Sequence, residues 1–306
     1  MQTTLKKSVT LIGTGLHSGR PVRMTIAPQP ADFGIWFRRT DAQGNDTLIP
    51  ALYDSVENTT LCTRIAGENG VTLSTIEHIM AALAGCGVHN ALVSVDGPEV
   101  PIMDGSSQRF VRAIREAGLR RLDAPLYAIE ILKPVRYEDG AASAELHPHD
   151  GFAIDFTIDF DDAAIGHQEI KLDMSNGQFM RELSDCRTFC RRGDVDMMQQ
   201  NGLALGGGLE NAVVVEGDKV LNPEGFRRSN ECVRHKALDA VGDLGLAGHP
   251  ILGHYIGNRA GHGITNRLLH TLFAQPDAWR LVEVSPETAR KLPGGVAALT
   301  ELREAV

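Results

Sequence analysis

The residues of this chain that could do chemistry together begin with an imidazole and two carboxylates in the stretch 230–244. Apolar side chains return every three or four positions there, which predicts one amphipathic helix. His235 and Asp239 lie four residues apart, so one helical turn places them on the same face, and Asp243 continues that line a turn later. Such a face can bind a metal ion if another segment adds a ligand. The same spacing is also typical of a solvated helix face.

A second pair of candidate residues, Glu77 and His78, lies near the start of another predicted helix that follows Ser74. The imidazole could be a metal ligand, and the adjacent carboxylate could be a general base. Glu77 could equally form a capping box with Ser74, which would make its role structural. The protease pattern H-x-x-E-H requires a histidine at position 74, so the sequence does not indicate a metalloprotease.

Two further histidines lie in glycine-rich surroundings where a side chain can reach a substrate. His17 is in a loop between two predicted strands, and His262 lies between two glycines ahead of the last long helix, for which Thr265 or Asn266 is a predicted cap. A loop histidine is commonly only exposed, so position alone does not distinguish a functional role from a plain surface one.

The candidate residues must be held by strands and helices, and the sequence predicts a mixture of the two in both halves of the chain. Extended segments are predicted at 8–12, 22–26, 34–38, 55–65, 91–95, 127–131, 142–146, 152–160, 212–215 and 254–259, and a helix at 108–117. A proline-containing segment of mixed charge at 119–125 is the predicted domain boundary. We therefore expect an α+β protein with domains 1–124 and 125–285, a β/α insert at about 190–221 and a tail at 286–306.

Composition excludes several classes of protein. The chain has 306 residues, 42% of them hydrophobic and 23% charged, which is ordinary for a globular enzyme with a sizeable core. Its net charge of -9, without a long Lys/Arg run, argues against a nucleic-acid partner. The apolar stretch after Lys7 is short and broken by Gly13 and Gly15, so we expect no secretory signal, and no window is long enough to cross a bilayer.

The cysteines indicate reduced thiols in the cytoplasm. Five is an odd number, and none of the spacings is C-x-x-C. Cys186 and Cys190 lie four residues apart and could bind a metal ion, but without a second such pair we interpret them as ordinary thiols.

Seven ordered motifs together resemble a known family. They are L-H-S-G at 16–19, S-T-I-E-H at 74–78, P-I-M-D-G-S at 101–106, D-F-T-I-D-F at 155–160, R-T-F at 187–189, V-R-H-K-A-L-D-A-V-G-D-L at 233–244 and A-G-H at 260–262. The chain resembles the zinc-dependent UDP-3-O-acyl-N-acetylglucosamine deacetylases of lipid A biosynthesis over roughly residues 1–283. It departs from the family pattern directly after R-T-F, at Cys190 and Arg191. The resemblance implies two similar α+β domains, each with helices layered on a sheet and one insert, and an active site between them.

The resemblance also implies the catalytic groups. One zinc ion would be held by His78, His235 and Asp239, with a fourth position left for water, as in catalytic zinc sites. Acid–base and oxyanion chemistry would come from four further side chains. Glu77 would be the base for the attacking water, Thr188 would help to stabilise the oxyanion, and His262, kept protonated by Asp243, would protonate the departing amine.

Substrate-binding positions follow in the same way from the resemblance. Lys236 and Arg259 suit a diphosphate, Phe160 could stack on uracil, and Phe189 belongs to the R-T-F motif at the site. The insert would accept the acyl chain through Met197, Met198, Leu203 and Val214, although methionines in such a segment usually indicate core packing. From the first domain, the residues expected to line the site are Leu16, His17, Leu61 and Cys62.

The implied activity is removal of the N-acetyl group from UDP-3-O-(3-hydroxyacyl)-N-acetylglucosamine, which releases acetate in the committed step of lipid A biosynthesis. We expect a cytoplasmic monomer that contacts the inner membrane only transiently. Two alternatives stay open. The chain could deacetylate another acylated amino sugar, or it could be a silent zinc-stabilised binding protein, which would not need Glu77 or His262.

Overall fold

The structure, a computed structural model, describes residues 1–44 and 47–295, and it has the α+β architecture that the sequence predicts. The first half contributes the following elements: β1 (Thr3–Leu5), β2 (Val9–Thr14), β3 (Pro21–Pro28), β4 (Ile35–Arg39), β5 (Leu48–Pro50), β6 (Val56–Asn58), β7 (Arg64–Ala66), β8 (Thr72–Leu73), α1 (Glu77–Gly85), β9 (Ala91–Val95), α2 (Gln108–Ala117) and β10 (Leu119–Arg121).

The second half follows the same alternation of strands and helices. Its elements are β11 (Tyr127–Ile131), β12 (Val135–Asp139), β13 (Ala142–His147), β14 (Phe152–Asp159), β15 (His167–Asp173), β16 (Phe189–Arg191), α3 (Arg192–Gln200), β17 (Val213–Glu216), β18 (Lys219–Val220), α4 (Glu231–Leu244), β19 (Ile251–Asn258), α5 (His262–Phe273), β20 (Trp279–Glu283) and α6 (Pro286–Ala289). A short π-helical turn, Phe179–Leu183, precedes β16.

The two halves repeat one topology. The first sheet has the strand order β2-β3-β9-β4-β5, and the second contains the order β12-β13-β19-β14-β15. In each, the central strand is antiparallel to one neighbour (β3 or β13) and parallel to the other (β4 or β14). The helix before each central strand, α1 or α4, makes the crossover. The helices that bear the candidate metal ligands therefore occupy equivalent places in the two repeats.

Antiparallel pairs flank both repeats. Strand β1 pairs with β10, and β11 pairs with β20 while also joining β19 in parallel. Among the described residues the two main sheets share no strand. The boundary expected at 124/125 falls in the link between β10 and β11 and stays a prediction.

Each repeat carries one insert at the same topological position, between its last sheet strand and its crossover helix. The first insert is the three-stranded antiparallel sheet β6-β7-β8. In the second, β16 and β17 run parallel and are joined by α3, and β18 completes the sheet. These elements form a β/α unit over residues 189–220.

The structure describes the predicted tail, residues 286–306, only as far as residue 295. Its described part forms α6, where the Ser285 hydroxyl accepts a hydrogen bond from the Thr288 N–H at 3.0 Å, and the Lys291 carbonyl accepts one from the Phe152 N–H at 3.1 Å. Residues 296–306 lie outside the described residues. Across 1–44 and 47–295, the chain forms no helix with the length and apolarity needed to cross a membrane.

Helices α1 and α4 join the repeats by direct backbone contact. A Cβ atom added to Gly242 of α4 would lie 2.1 Å from the Glu77 carbonyl oxygen and 3.1 Å from the Ala81 nitrogen of α1. Neither backbone atom can move aside as the end of a flexible side chain can. The absence of a side chain at Gly242 therefore sets the distance between the two helices.

We predict that Gly242→Ala forces α1 and α4 apart and lowers the free energy of unfolding by about 1–3 kcal/mol, the usual cost of overpacking. Chemical denaturation of the metal-free variant measures this change. Gly245→Ala is the matched control, since its Cβ would meet only the flexible Met80 methyl group at 3.4 Å. Equal stability of the two variants would show that the close approach is not required.

Candidate metal centre and active site

Three ligand side chains from the two repeats converge where α1 meets α4. His78 is the second residue of α1, and His235 and Asp239 lie one turn apart on α4. Their ligand atoms all lie within 4.8 Å of one another. The Asp239 Oδ1 atom lies 3.3 Å from the His235 Nε2 atom and 3.6 Å from the His78 Nε2 atom. The spacing predicted from the sequence thus brings one helix face to a third ligand from the other repeat.

The arrangement fits a tetrahedral metal ion. The Asp239 Oδ1 atom is buried and has no hydrogen-bond partner among the described residues, which is costly unless another group, such as a metal ion, satisfies it. Ligand atoms about 2.0–2.2 Å from a tetrahedral zinc ion lie roughly 3.3–3.6 Å from one another. The two measured separations from Asp239 match that range. Two imidazoles and a carboxylate also form the donor set of several catalytic zinc sites.

His235 is held in the tautomer that a metal ligand needs. Its Nδ1 atom lies 3.0 Å from the Cys186 carbonyl oxygen, which can only accept a hydrogen bond, so Nδ1 carries the proton and Nε2 presents a lone pair towards Asp239. Burial lowers the pKa of His235 to about 3, so the ring is neutral at physiological pH.

The two oxygens of the Asp239 carboxylate have different neighbours. One faces His78 and His235, with which Asp239 forms the ligand group, and the other binds a cation. The Asp239 Oδ2 atom accepts a hydrogen bond from the Lys236 amine at 2.9 Å. Burial acts to raise the pKa of Asp239, but its interactions with the neighbouring His235 ring and with the Lys236 cation outweigh burial and hold the pKa well below its usual range. Asp239 therefore stays ionised in spite of its burial.

The Glu77 carboxylate lies beside this group and does not cap its helix. Its Oε2 atom accepts a hydrogen bond from the Thr63 N–H at 3.0 Å, and Ser74 instead bridges to Glu99 through the backbone. The capping-box interpretation is thus wrong, because α1 begins at Glu77 itself, after Thr75 adopts a left-handed φ of 62°. Burial raises the pKa of Glu77, which makes the carboxylate a stronger base once ionised.

His262 is held as a cation by a buried carboxylate. Its Nδ1 atom lies 2.8 Å from the Asp243 Oδ2 atom, and the Thr63 hydroxyl donates to the Asp243 Oδ1 atom at 2.6 Å. Burial acts to lower the pKa of His262, but Asp243 outweighs it and raises the pKa to about 9. His262 is the first residue of α5, so the cap predicted at Thr265 or Asn266 is wrong. The extended Gly261 starts the helix earlier.

Comparison with known proteins assigns the chain to a family. The family described as LpxC, UDP-3-O-acyl N-acetylglycosamine deacetylase, matches residues 2–274. The chain belongs to this family. The resemblance inferred from the seven motifs is therefore confirmed.

Individual relatives match over nearly their whole length, and each is named UDP-3-O-acyl-N-acetylglucosamine deacetylase. The protein from Phenylobacterium zucineum is 50% identical over 280 residues, which cover 92% of this chain and 96% of the relative. The protein from Shewanella violacea is 46% identical over 294 residues, 95% of each chain. The protein from Idiomarina loihiensis is 46% identical over 292 residues, 94% of each chain.

Aromatic side chains extend from the ligand group of this family member. The Phe189 ring centroid lies 6.4 Å from that of His235, and the Phe160 centroid lies 5.5 Å from that of Phe189. Thr188 is the middle residue of the R-T-F motif. Its N–H donates a hydrogen bond to the Gly105 carbonyl, and its carbonyl accepts one from the Val213 N–H, each at 2.8 Å. The Thr188 hydroxyl makes no hydrogen bond with the described residues.

His17 lies in a loop that a buried carboxylate shapes. Glu99 accepts hydrogen bonds from the backbone N–H groups of His17 and Ser18 and from the Thr75 hydroxyl. Both ring nitrogens of His17 are buried and have no hydrogen-bond partner within 1–44 and 47–295, and burial lowers the pKa of His17 despite the nearby Glu99 charge. A neutral imidazole with two unsatisfied nitrogens has the capacity to bind a polar ligand group.

The second insert docks on this same loop. The Leu16 carbonyl accepts a hydrogen bond from the Gly206 N–H at 2.9 Å, and the His17 carbonyl accepts one from the Leu205 N–H at 3.2 Å. Leu16 also comes within 3.5 Å of the position that a Cβ on Gly207 would take. The two repeats thus also meet away from the helix pair.

Other residues expected at the site have more peripheral surroundings. Arg259 pairs with Asp159 at the exposed end of β19. Cys62 is buried near Glu77, and burial together with that charge raises its pKa to about 12, while Leu61 is half exposed. Of the four residues expected to contact the acyl chain in the second insert, three are exposed or partly exposed, namely Met197, Met198 and Leu203, and Val214 is buried.

Sequence reasoning missed three groups that organise the site. These are Thr63, which contacts Glu77 and Asp243, the buried Glu99, and the Cys186 carbonyl that orients His235. A glutamate among prolines and apolar residues is an available signal for Glu99. A single threonine and a backbone carbonyl leave no pattern in the sequence.

We predict that Asp243→Asn lowers the pKa of His262 from about 9, because the charge that opposes burial most strongly is lost, while Glu77 and Asp239 still act to raise the pKa. Imidazole NMR of the metal-free protein measures this. Folding raises this pKa, so the stability gained from protonated His262 is complete below about pH 6.5 and disappears as the pH rises through about 9.

Asp155→Asn is the matched control. Asp155 lies 3.0 Å from the His254 ring on the second sheet, so its removal breaks a His–Asp pair outside the ligand group. That variant should leave the His262 titration unchanged. A wild-type His262 that titrates near 6.5 would contradict the prediction.

Proposed function

We propose that this chain hydrolyses the N-acetyl group of UDP-3-O-(3-hydroxyacyl)-N-acetylglucosamine, releasing acetate in the committed step of lipid A biosynthesis. The observation that carries the proposal is the convergence, at one contact between two helices, of a three-ligand group with a buried base and a protonated histidine. Membership of the deacetylase family and the names of its relatives support the substrate.

The protein's own groups can supply the proton transfers of amide hydrolysis. A zinc ion held by His78, His235 and Asp239 would supply Lewis-acid activation of water and of the amide carbonyl. Glu77 is buried next to His78, with a raised pKa suited to taking a proton from the attacking water. His262 carries its proton through the neutral pH range and can give it to the departing amine.

Thr188 completes the proposed reaction centre. Thr188 lies two residues after Cys186, whose carbonyl orients His235, and directly before Phe189, whose ring lies edge-to-face with that of His235. Its backbone is fixed by hydrogen bonds to Gly105 and Val213, and its hydroxyl, which makes no hydrogen bond with the described residues, is available to donate one to the oxyanion.

The nucleotide end of the substrate requires local positive charge in an acidic protein. We assign this to Lys236, a partly buried cation beside the ligand group, and to Arg259, which follows β19 three residues before His262. Phe160 and Phe189 present an edge-to-face pair against which a uracil ring can stack.

The acyl chain is assigned to the seam between the second insert and the 15–19 loop. We assign to it the exposed or partly exposed apolar side chains Met197, Met198 and Leu203 of the insert, Leu16 of the loop, and Leu61. The remaining residues assigned to this end of the site are His17, Cys62 and Val214. Because the substrate is amphiphilic, we further propose a cytoplasmic monomer that contacts the inner membrane transiently.

The residues beside the ligands favour catalysis over metal-stabilised binding. A silent binding protein would have no use for a buried glutamate or for a His–Asp pair directed at the ligand group, and burying them is costly. Another acylated amino sugar remains the alternative substrate.

We predict that the purified protein releases acetate from UDP-3-O-acyl-N-acetylglucosamine, that chelation abolishes release, and that one equivalent of zinc restores it. Acetate and free amine are quantified together. Glu77→Ala should keep bound zinc but lower turnover about 100-fold or more, since the general base is lost. His78→Ala should lose the metal.

The outcomes separate the alternatives. Normal turnover by Glu77→Ala would refute the proposed base. Zinc binding without acetate release would leave a silent protein or a different substrate, and comparing substrates that lack the acyl chain or the UDP group distinguishes those two.

We predict that Gly206→Ala selectively impairs use of the acyl chain. A Cβ there would lie 2.3 Å from the Gly15 carbonyl oxygen, so the insert must separate from the 15–19 loop. We expect kcat/KM for the acylated substrate to fall roughly tenfold or more, with little change for a substrate that lacks the chain, which is comparable to losing one or two apolar contacts.

Gly193→Ala is the control for this variant, because an added Cβ at that position of α3 meets nothing within 4 Å. It should retain the wild-type ratio between acylated and unacylated substrates. Equal losses on both substrates in Gly206→Ala would place the acyl chain elsewhere.

A further inference from the structure

A fully buried ion pair lies directly behind the ligand group. The Arg187 side chain is 1% exposed and Glu231 is 0% exposed. The Arg187 N–H and Nε both donate to the Glu231 Oε1 atom at 2.9 Å, and the Nη2 atom donates to Oε2 at 3.2 Å. The guanidinium also binds Glu224 at 2.5 Å and the Gly225 carbonyl at 2.7 Å. Glu231 thus anchors the backbone and the side chain of the same arginine.

The pair joins the two segments on which the site depends. Glu231 is the first residue of α4, one turn before His235, and its Oε2 atom also accepts the Arg227 N–H at 2.6 Å. Arg187 lies between Cys186, whose carbonyl orients the His235 ring, and Thr188. Any shift of Arg187 relative to the start of α4 therefore changes the hydrogen bond that fixes His235.

Stability alone is a weak explanation for such a pair. Removing a full charge pair from water costs several kcal/mol per ion, and apolar replacements of similar volume are often neutral or stabilising. A bidentate guanidinium–carboxylate contact does, however, define a relative position more narrowly than apolar packing does. A group that hydrogen-bonds a metal-ligating histidine, as the Cys186 carbonyl does to His235, tunes metal affinity, and the ion pair fixes the segment that carries this carbonyl.

We infer that Arg187 and Glu231 are positioning residues for the metal centre. They hold the Cys186 carbonyl against His235 Nδ1 and place the Thr188 hydroxyl on the same side of the ligand group. The inference rests on the proposed function for the role of Thr188. The part that concerns His235 rests only on the ligand geometry.

The test compares Arg187→Lys with wild type. Lysine keeps the charge but cannot make the forked contact, so the 186–188 segment is released from α4. Zinc affinity is measured by competition with a chromogenic chelator, and the ligand field is read from the visible spectrum of the cobalt-substituted protein. We expect zinc affinity to fall about 10- to 100-fold and the cobalt bands to shift. With the acylated substrate, kcat should fall more than KM rises.

Arg39→Lys is the matched control. Arg39 is another largely buried arginine with a forked carboxylate contact, to Asp41, but it lies on β4 of the first sheet. Its forked contact is lost in the same way, but zinc affinity and the cobalt spectrum should stay unaltered. If Arg187→Lys does not fold, Glu224→Gln weakens the same guanidinium from its exposed side and should give a smaller shift in the same direction.

Zinc affinity within about twofold of wild type and unchanged cobalt bands in a folded Arg187→Lys or Glu224→Gln protein would overturn the inference. Because neither measurement needs a substrate, failure of the proposed reaction would be seen separately, as a wild-type protein that binds zinc tightly and releases no acetate.

Discussion

The contact between α1 and α4 is the constraint on which the rest of the structure depends. Each helix is the crossover of its own repeat, and each carries part of the ligand group, so neither repeat can form the site alone. The backbone approach at Gly242 is what places the Glu77 and His78 side chains of α1 within reach of Asp239 and Asp243 on α4. A side chain at position 242 would move α1 away from α4, and polar contacts such as that between His78 and Asp239 would be lengthened.

The same contact creates an electrostatic problem that a metal ion would relieve. Glu77, Asp239 and Asp243 are all buried, and the cations near them are Lys236 and His262. When Glu77 is ionised, three carboxylates face two cations, which leaves one net negative charge in a poorly solvated region. A divalent ion would change the sign of that sum. The site would then attract the negative charge that develops on an amide oxygen during hydrolysis.

The sequence predicts those parts of the site that periodicity controls. Helical spacing alone places His235, Asp239 and Asp243 on one face, and the structure confirms it. Local signals misassigned the start of α1, because Thr75 turns the chain and leaves Glu77 free to meet Thr63. The repeated strand order was also invisible to local patterns, since it is a property of pairing between distant strands.

The contacts that orient the ligands are beyond local prediction for a related reason. The Cys186 carbonyl, Thr63 and the Arg187–Glu231 pair join residues between 14 and 180 positions apart, and a backbone carbonyl has no residue type to recognise. The family resemblance supplied roles for side chains at motif positions. The resemblance did not indicate the groups that orient those side chains, because these groups lie outside the roles attached to the motifs.

The repeat architecture also explains why specificity and chemistry lie on different parts of the chain. Both inserts leave the sheet at the same topological position, just before a crossover helix that carries ligands, so both are delivered to the α1–α4 contact. The first insert brings Thr63 to the Glu77 and Asp243 carboxylates, and the second brings apolar side chains and docks on the 15–19 loop. An insert can change length or composition without disturbing a sheet or the helix contact. On the proposed assignment of the acyl chain to the second insert, chain preference can therefore vary through that insert while the candidate metal centre, fixed by two backbones in contact, stays the same.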